Sequence, residues 1–549
     1  MAAQEAIRAE LARVAAMLGA PASVVVELET PREKSHGDLA TNLAMTLSKP
    51  LRAAPRQIAE KIVAALALPP GVVAAVEIAG PGFINFRLAP EQLSLTVKEV
   101  LAAGREFGRS APLKQLRVNV EFVSANPTGP LHVAHGRGAA LGDCVGSLLE
   151  WMGHSVTREF YVNDGGSQIQ RLGESLWARV QQKVGREAAI PDQGYHGAYL
   201  VDLAERLVGL YGAAFADKVP AEGIDACRAV AVEAMKAEQR ETLEQFRVRF
   251  DIFFDESRLY AEHAIEKTLA SLKSHDALFE EDGALWLRTT AHGDDKDRVL
   301  RKSDGSYTYF LPDIAYHQDK AERGFDRAID VWGADHHGYV PRVRAAMMAL
   351  GHGEHFFEAL IVQLVTVLRQ GEEVRMSKRA GDFVALRDLV EEVGVDAARY
   401  FFLMRRSDTP LAFDIDLATS QTDENPVFYV QMAHARMSGI FRVGGIEPAG
   451  VTFEGVDAGS LPDPSEADLI KLLGRYPLAV RRAAEALEPQ RVTAYLEELA
   501  RAAHLWYHRC RVLGEPPAVE RARLALARAT KIVLANGLSL LGLTAPERM

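Results

Sequence analysis

The sequence predicts an α/β protein: a parallel-sheet domain preceded by a small α+β domain and followed by an all-α domain. Three observations carry that reading. A strand, turn, helix and strand follow one another within about 45 residues from position 117, which is a βαβ unit. Helical patterns alternate with short strand-like runs up to residue 88, and beyond about 425 the pattern is almost wholly helical. A chain of 549 residues has room for three such domains, each with its own core.

Taken in order, residues 2–18 place Ile7, Leu11, Ala15 and Leu18 at the spacing of an amphipathic helix, with Glu5, Arg8, Glu10 and Arg13 between them. This is no signal peptide. The first domain ends in VEIAGPGFINFRL, and GREFGRSAPLKQ has the composition of a connection. RVNVEFV (117–123) and SVTREFYV (155–162) read as strands. Between them, Leu141, Val145, Leu148, Leu149 and Met152 set a helix over 136–153. Gly138, Gly142 and Gly146, four apart, let that helix lie close to its neighbours, at about 1 kcal/mol each against alanine. RAIDVWG, before Ala334, and ALIVQLVTVL (359–368) read as further strands, after a charged helical insertion at roughly 172–248. A Gly/Pro/acidic loop at 444–468 separates the last helices, which are rich in arginine and carry Tyr495, Trp506 and Tyr507. Such a charged face is usually just solvated, although arginine with exposed aromatics also clamps unpaired bases.

With 48% hydrophobic and 25% charged residues, no low-complexity tract and no fixed repeat, the chain is expected to be globular, not a solenoid or a disordered scaffold. No apolar run approaches the roughly 20 residues that cross a bilayer, so no membrane partner is expected. Cys144, Cys227 and Cys510 are scattered and odd in number, which fits a reducing cytoplasm and opposes a thiolate zinc site. The net charge of −11 by itself counts against nucleic acid, unless local basic patches override it.

Chemistry concentrates in NPTGPLHVAHGRGAA, from Asn126. A turn after a parallel strand is where open α/β sheets bind nucleotides, and a helix N-terminus favours phosphate. His132 and His135 at that point could donate hydrogen bonds to charge growing on a phosphate. The alternatives are two polar residues at a helix start, or a metal pair lacking a nearby Cys or acidic third ligand. VRMSKRAGD (374–382) offers Arg375, Lys378 and Arg379 around Ser377, either as a cationic loop closing over triphosphate or as an ordinary basic turn.

HVAHG resembles the first signature of class I aminoacyl-tRNA synthetases and RMSKR the second, in the right order. Ala134 stands at the signature's usual glycine, while Arg375 and Arg379 replace its first lysine and last serine. EFVSANPTGPLHVAHGR, YFLPDIAYH, VWGADHHGY, RMSKRAGDFVALRDLVEEVG, NPVFYVQMAHAR and APERM narrow the resemblance to arginyl-tRNA synthetases. HGDLATNLAM and GPGFINFRL are similar to that family's N-terminal domain. The likeness covers nearly the whole chain.

The resemblance implies an N-terminal domain over 1–88 that touches the tRNA elbow. It further implies a Rossmann-like catalytic domain over 115–424 and a helical anticodon-binding domain over 425–549. It implies ATP-dependent attachment of L-arginine to its tRNA through arginyl-adenylate, with ATP and Mg2+ as the substrate complex and no tightly bound metal or organic cofactor. Activation that requires bound tRNA, a cytoplasmic location and a monomeric state are also expected. His132, His135 and Lys378 would serve catalysis. Ala134, Gly136, Met376 and Ser377 would join them around ATP. Asp313, Tyr309 and Glu256 would take the guanidinium. Ser124, Asn126 and His135 would face the amino-acid end, completed by Asp335 or His337, with Glu121 a further acidic residue orienting the pocket. Tyr429, Gln431, Trp506 and Tyr507 are the candidate anticodon contacts. From the residues alone, Asp313 could equally be an N-cap. A cysteinyl enzyme would need thiolate zinc ligands, and a glutamate-specific one would need a basic pocket. The remaining alternative is a noncatalytic RNA-binding paralogue, which should have lost the signature histidines or Lys378.

Overall fold

Ile7, Leu11 and Ala15 are buried on one face of helix Ala2–Met17, as their spacing predicts. A computed structural model of the chain describes every residue except 1, 22, 30, 32, 375–383 and 455–457. In the N-terminal domain a three-stranded antiparallel sheet runs Leu39–Thr41, Phe83–Leu88, Val73–Ala79. Ile62, Ile84 and Phe86 close a core of its own. The helix Pro90–Ala103 that follows belongs elsewhere: Val97 and Val100 join the main core of the chain. Asn536 of the last helix donates to the carbonyls of Gly104 at 3.0 Å and Phe107 at 3.2 Å, which fastens the connection to the C-terminal helices.

The central sheet is parallel and five-stranded, in the spatial order Phe357–Val362, Arg327–Gly333, Arg117–Glu121, Ser155–Val162, Ile252–Asp255. The chain starts in the middle strand, moves outward twice on one side, then returns to build the other. The strand order therefore reverses between Arg117–Glu121 and Arg327–Gly333, and a crevice opens beyond their carboxyl ends. Helix Val133–Trp151 makes the first crossover. Two of its three spaced glycines are required: a Cβ on Gly142 would lie 2.2 Å from Cγ of Phe122, and one on Gly146 would lie 2.9 Å from Cζ of Arg158. At Gly138 the same atom would make ordinary contact with Val331 at 3.9 Å, so the expected close approach does not hold there.

The run 359–368, expected as one strand, is two. Phe357–Val362 closes the central sheet, and Val365–Arg369 pairs with Leu411–Asp414 in a separate sheet. The break falls at Gln363, whose carbonyl accepts a hydrogen bond from Nη1 of Arg137, and at Leu364, which is exposed. Apolar content is similar on both sides of the break, so composition could not mark it.

The insertion consists of helices Gly166–Lys183, Ala198–Tyr211 and Pro220–Gln245 around a small core with Leu172, Leu176, Leu203 and Met235. The C-terminal domain is formed by helices Pro426–Gly444, Pro464–Ala486, Gln490–Arg509 and Pro517–Leu540. Arg399, fully buried, holds these parts together. It donates to Oδ2 of Asp143 on the crossover helix at 2.6 Å, to the carbonyl of Leu541 at 3.0 Å and to that of Phe246 at 3.3 Å. Among the described residues no helix is long and apolar enough to cross a membrane.

Candidate active site

The middle strand leaves the sheet through a strained turn. Val123 and Ser124 have φ of +69° and +41°, and the N–H of Ser124 donates to the carbonyl of Phe122 at 2.9 Å, closing a three-residue turn about Val123. A β-branched residue in this region is a genuine outlier, of the kind that clusters at functional sites. Ser124 Oγ donates to Glu121 at 2.8 Å and accepts the N–H of Tyr161 at 3.1 Å. Asn126 is exposed, and its Nδ2 donates to Gln168 at 2.8 Å.

Six residues later the chain reaches His132, the N-cap of helix Val133–Trp151. The His132 side chain accepts from the N–H of His135, while Nδ1 of His135 accepts the N–H of His132 at 3.3 Å. The two rings stack 3.7 Å apart. With Nδ1 committed as acceptor, neutral His135 carries its proton on Nε2 and presents a donor. Burial lowers the pKa of both rings, that of His135 to about 3 with help from His132, so both are neutral donors at physiological pH. Ala134 is half-buried and Gly136 buried.

Met376, Ser377 and Lys378, with Arg375 and Arg379, lie outside the described residues. The segment that follows them is fastened to the first signature. Val133 N–H donates to the carbonyl of Val384 at 3.1 Å, Leu386 N–H donates to that of Leu131 at 2.8 Å, and His132 and Ala385 form a β-bridge. A Cβ on Gly136 would lie 2.4 Å from Cδ1 of Leu386, so this glycine permits the approach.

Across the crevice, Glu256 follows the edge strand Ile252–Asp255, and Asp313 lies in the first turn of helix Phe310–Glu322. Asp313 is not an N-cap: Tyr339 donates to its Oδ2 at 2.6 Å. Glu256 accepts a hydrogen bond from Tyr161. Burial raises the pKa of each carboxyl, and the charge of Asp313 raises that of Glu256 further. Among the described residues neither has a lysine or arginine partner within ion-pair distance. Two buried carboxyls, each bound by a tyrosine hydroxyl, thus lie near enough for the charge of one to act on the other.

Tyr309 is 91% exposed at the N-cap of the same helix. Asp335 and His337 are exposed on the turn Ala334–Tyr339, with Asp335 paired to His336 at 3.3 Å. It is Tyr339, in the same motif, that reaches Asp313.

Next to Asp313 sits a charge network that the sequence reading touched only at Glu121. Lys320 is fully buried and donates to Glu121 at 2.6 Å and to Asp330 at 2.8 Å. Burial opposes ionisation of Asp330, but Lys320 and His317 hold its pKa down to about 2. Glu121, His317 and Asp330 form the one cluster of metal-capable side chains among the described residues, and the Lys320 ammonium already bridges its two carboxylates. Glu121 thereby holds Ser124 from a fixed base. The signal was available: Asp313, His317 and Lys320 lie at i, i+4 and i+7, one helix face, opposite a charged residue inside each of two apolar strands.

In the helical domain, two of the four expected anticodon contacts face inward. Trp506 is fully buried, and Gln431 is buried with its amide donating to Asp396 at 2.7 Å and to the carbonyl of Thr544 at 3.0 Å. Trp506 packs in the domain core and Gln431 ties its helix to Asp396 and Thr544, and a helical step of about 100° leaves Tyr507 the outward-facing ring beside Trp506. Tyr507 is 40% exposed, with the Arg436 guanidinium 5.7 Å from its ring centre. Tyr429 is half-buried against His504. Tyr507, Arg436, Arg442, Arg511 and Arg548 line a groove of about 540 Å³.

Comparison with known proteins agrees with this geometry. Residues 1–88 match the family described as arginyl tRNA synthetase N terminal domain. Residues 96–404 match tRNA synthetases class I (R), catalytic domain, and residues 430–549 match DALR anticodon binding domain. The chain is 50% identical to the arginine–tRNA ligase of Desulforudis audaxviator, over 95% of this chain and 93% of that one. It is 47% identical to that of Bacillus subtilis, over 95% and 94%. The Thermus thermophilus arginyl-tRNA synthetase structure shares the fold, with a TM-score of 0.80 at 24% identity over 99% of this chain and 100% of that one. The chain belongs to the class I arginyl-tRNA synthetase family.

Proposed function

We propose that this chain attaches L-arginine to its tRNA. The observation that carries the reading is the pair of carboxylates, Glu256 and Asp313, each held by a tyrosine hydroxyl and, among the described residues, without a lysine or arginine ion-pair partner. A guanidinium is a planar cation with five donors, and two carboxylates held by Tyr161 and Tyr339 are a fixed fork of acceptors for it. Lysine's compact ammonium would leave acceptors unpaired, at about 1–3 kcal/mol each.

In the first step the arginine carboxylate attacks the α-phosphorus of ATP, forming the adenylate as the bond to pyrophosphate breaks. In the second, a hydroxyl of the terminal tRNA ribose attacks the arginyl carbonyl and AMP leaves. No protein nucleophile is needed, so catalysis is positioning and charge stabilisation. Neutral His132 and His135 donate to phosphate oxygens, with Ala134 and Gly136 keeping the backbone close. Met376, Ser377 and Lys378 complete the ATP site, with Lys378 on the departing pyrophosphate, and Mg2+ accompanies ATP as part of the substrate. Ser124 and Asn126 orient the amino-acid end, completed by Asp335 or His337, and Tyr309 joins Glu256 and Asp313 as a candidate for the guanidinium end.

We assign residues 1–88 to the tRNA elbow, 115–424 to catalysis and 425–549 to the anticodon, with Tyr507 and Tyr429 as the aromatic contacts. A monomeric state is part of this reading. A cytoplasmic location is also part of this reading, because tRNA is the substrate. The test is charging of purified arginine tRNA with labelled arginine, beside lysine and cysteine, with Lys378→Ala as control. Arginine alone should be charged, and the variant should lose it; tight tRNA binding without charging would instead indicate a noncatalytic paralogue. Pyrophosphate exchange with and without tRNA tests whether activation needs tRNA, and full exchange without it would remove that dependence.

A further inference from the structure

Three helices of the insertion converge on the turn that precedes the first signature. Gln168, on Gly166–Lys183, accepts from Nδ2 of Asn126 at 2.8 Å. The hydroxyl of Tyr199, on Ala198–Tyr211, donates to the carbonyl of Thr128 at 2.6 Å. Gln239, on Pro220–Gln245, donates from Nε2 to the carbonyls of Asn126 at 3.1 Å and Gly129 at 3.0 Å. Gln239 is 3% exposed, so its amide is desolvated and both hydrogens are spent on these two carbonyls. The same helix reaches the other side of the ATP crevice. Thr242, one turn further on, accepts from Arg387 at 3.2 Å, and Glu238 and Glu241 pair with Arg387 at 3.5 and 3.3 Å. Arg387 lies two residues beyond Ala385, which bridges to His132.

One helix thus grips the turn that delivers Asn126 and His132, and also the segment that emerges from the second signature. We infer that Gln239 is a positioning residue for adenylate formation, and that the insertion is a frame holding the turn before the first signature against the segment from Val384 to Arg387. The inference rests on the adenylation site proposed above. Gln239 is buried with both amide hydrogens committed to backbone carbonyls, so it acts by fixing Asn126 and, through Gly129, the entry to the His132 cap. Displacement of such a frame by about 1 Å can cost about 100-fold in rate.

The experiment is arginine-dependent pyrophosphate exchange with saturating arginine tRNA, normalised to tRNA-binding sites, across pH for wild type, Gln239→Leu, Gln239→Glu and Tyr199→Phe. Gln239→Leu should lose about 10- to 100-fold in kcat with the arginine KM held within about twofold. Gln239→Glu carries the sharper test. Its carboxylate would face two carbonyl oxygens, whereas the protonated acid regains one donor, so its rate relative to wild type should recover as pH falls and drop as pH rises. Tyr199→Phe, which removes only the Thr128 contact, should lose less. A pH-independent Gln239→Glu ratio together with wild-type kcat in Gln239→Leu would overturn the inference. His135→Asn in the same assay separates the two levels: if that variant keeps full exchange, the site reading itself falls, whatever Gln239 does.

Discussion

The N–H of His132 donates to Nδ1 of His135 at 3.3 Å beneath rings stacked 3.7 Å apart, so the backbone of one signature histidine fixes the tautomer of the other. An imidazolium at His135 would forfeit this bond, which agrees with a pKa held down to about 3, chiefly by burial. His135→Asn keeps an acceptor for the His132 N–H and removes only the outward donor. Adenylate formation should fall about 100-fold or more, with arginine affinity little changed. Exchange kinetics within about threefold of wild type would show that Nε2 does not face the reacting phosphate.

The same ring gives a pH dependence of stability. Its folded pKa lies below its unfolded value of 6.5, so the unfolded chain binds the extra proton between the two. Its contribution is kept above about pH 6.5 and is lost as pH falls toward 3. Melting curves between about pH 5 and 7 should therefore show a steeper decline for wild type than for His135→Asn.

Glu256 and Asp313 have raised carboxyl pKa values, from burial first and, for Glu256, from the charge of Asp313. Protons then compete with arginine, and the arginine KM should rise as pH falls toward the carboxylate range while the ATP KM stays level. Asp313→Asn or Glu256→Gln should reduce kcat/KM for arginine by about 100-fold or more, since removing one partner of a buried charge pair costs about 2–5 kcal/mol. Tyr339→Phe, which loosens Asp313 without discharging it, should do less. Equal losses for arginine and ATP would place the carboxylates elsewhere in the mechanism.

Lys320→Met leaves Glu121 and Asp330 buried without their shared cation. The catalytic domain should be destabilised by about 3–5 kcal/mol, seen as a lowered calorimetric transition. Adding Glu121→Gln and Asp330→Asn removes the stranded charges and should restore part of that loss. An unshifted transition in Lys320→Met would mean that the network is solvated.

On the helical domain, Tyr507→Ala should weaken tRNA binding by about 1–3 kcal/mol, the worth of one stacked base. Arg436→Ala should reduce the salt slope of binding by about one. Trp506→Ala should instead destabilise the domain by about 3–5 kcal/mol. Filter binding and thermal melts separate the two: if Trp506→Ala weakened binding at an unchanged melting temperature, the indole would be a contact after all.

Local sequence determined the elements whose information is local. RAIDVWG and SVTREFYV are strands over the expected residues, because an apolar run bounded by turn residues needs no partner to be read. The all-helical end was likewise legible in spacing, and the two signatures and their order were legible through resemblance to a known family. Tertiary structure decided which polar groups face each other. It split 359–368 between two sheets, turned Trp506 inward and left Tyr309 exposed. It also made partners of Lys320 with Glu121 and of Gln239 with Asn126, residues 199 and 113 positions apart. Periodicity reports which face of an element is buried, and such pairings depend on how separate elements pack. A buried lysine or glutamine therefore reads in sequence as an ordinary surface residue until the fold supplies the carboxylate or carbonyl it meets.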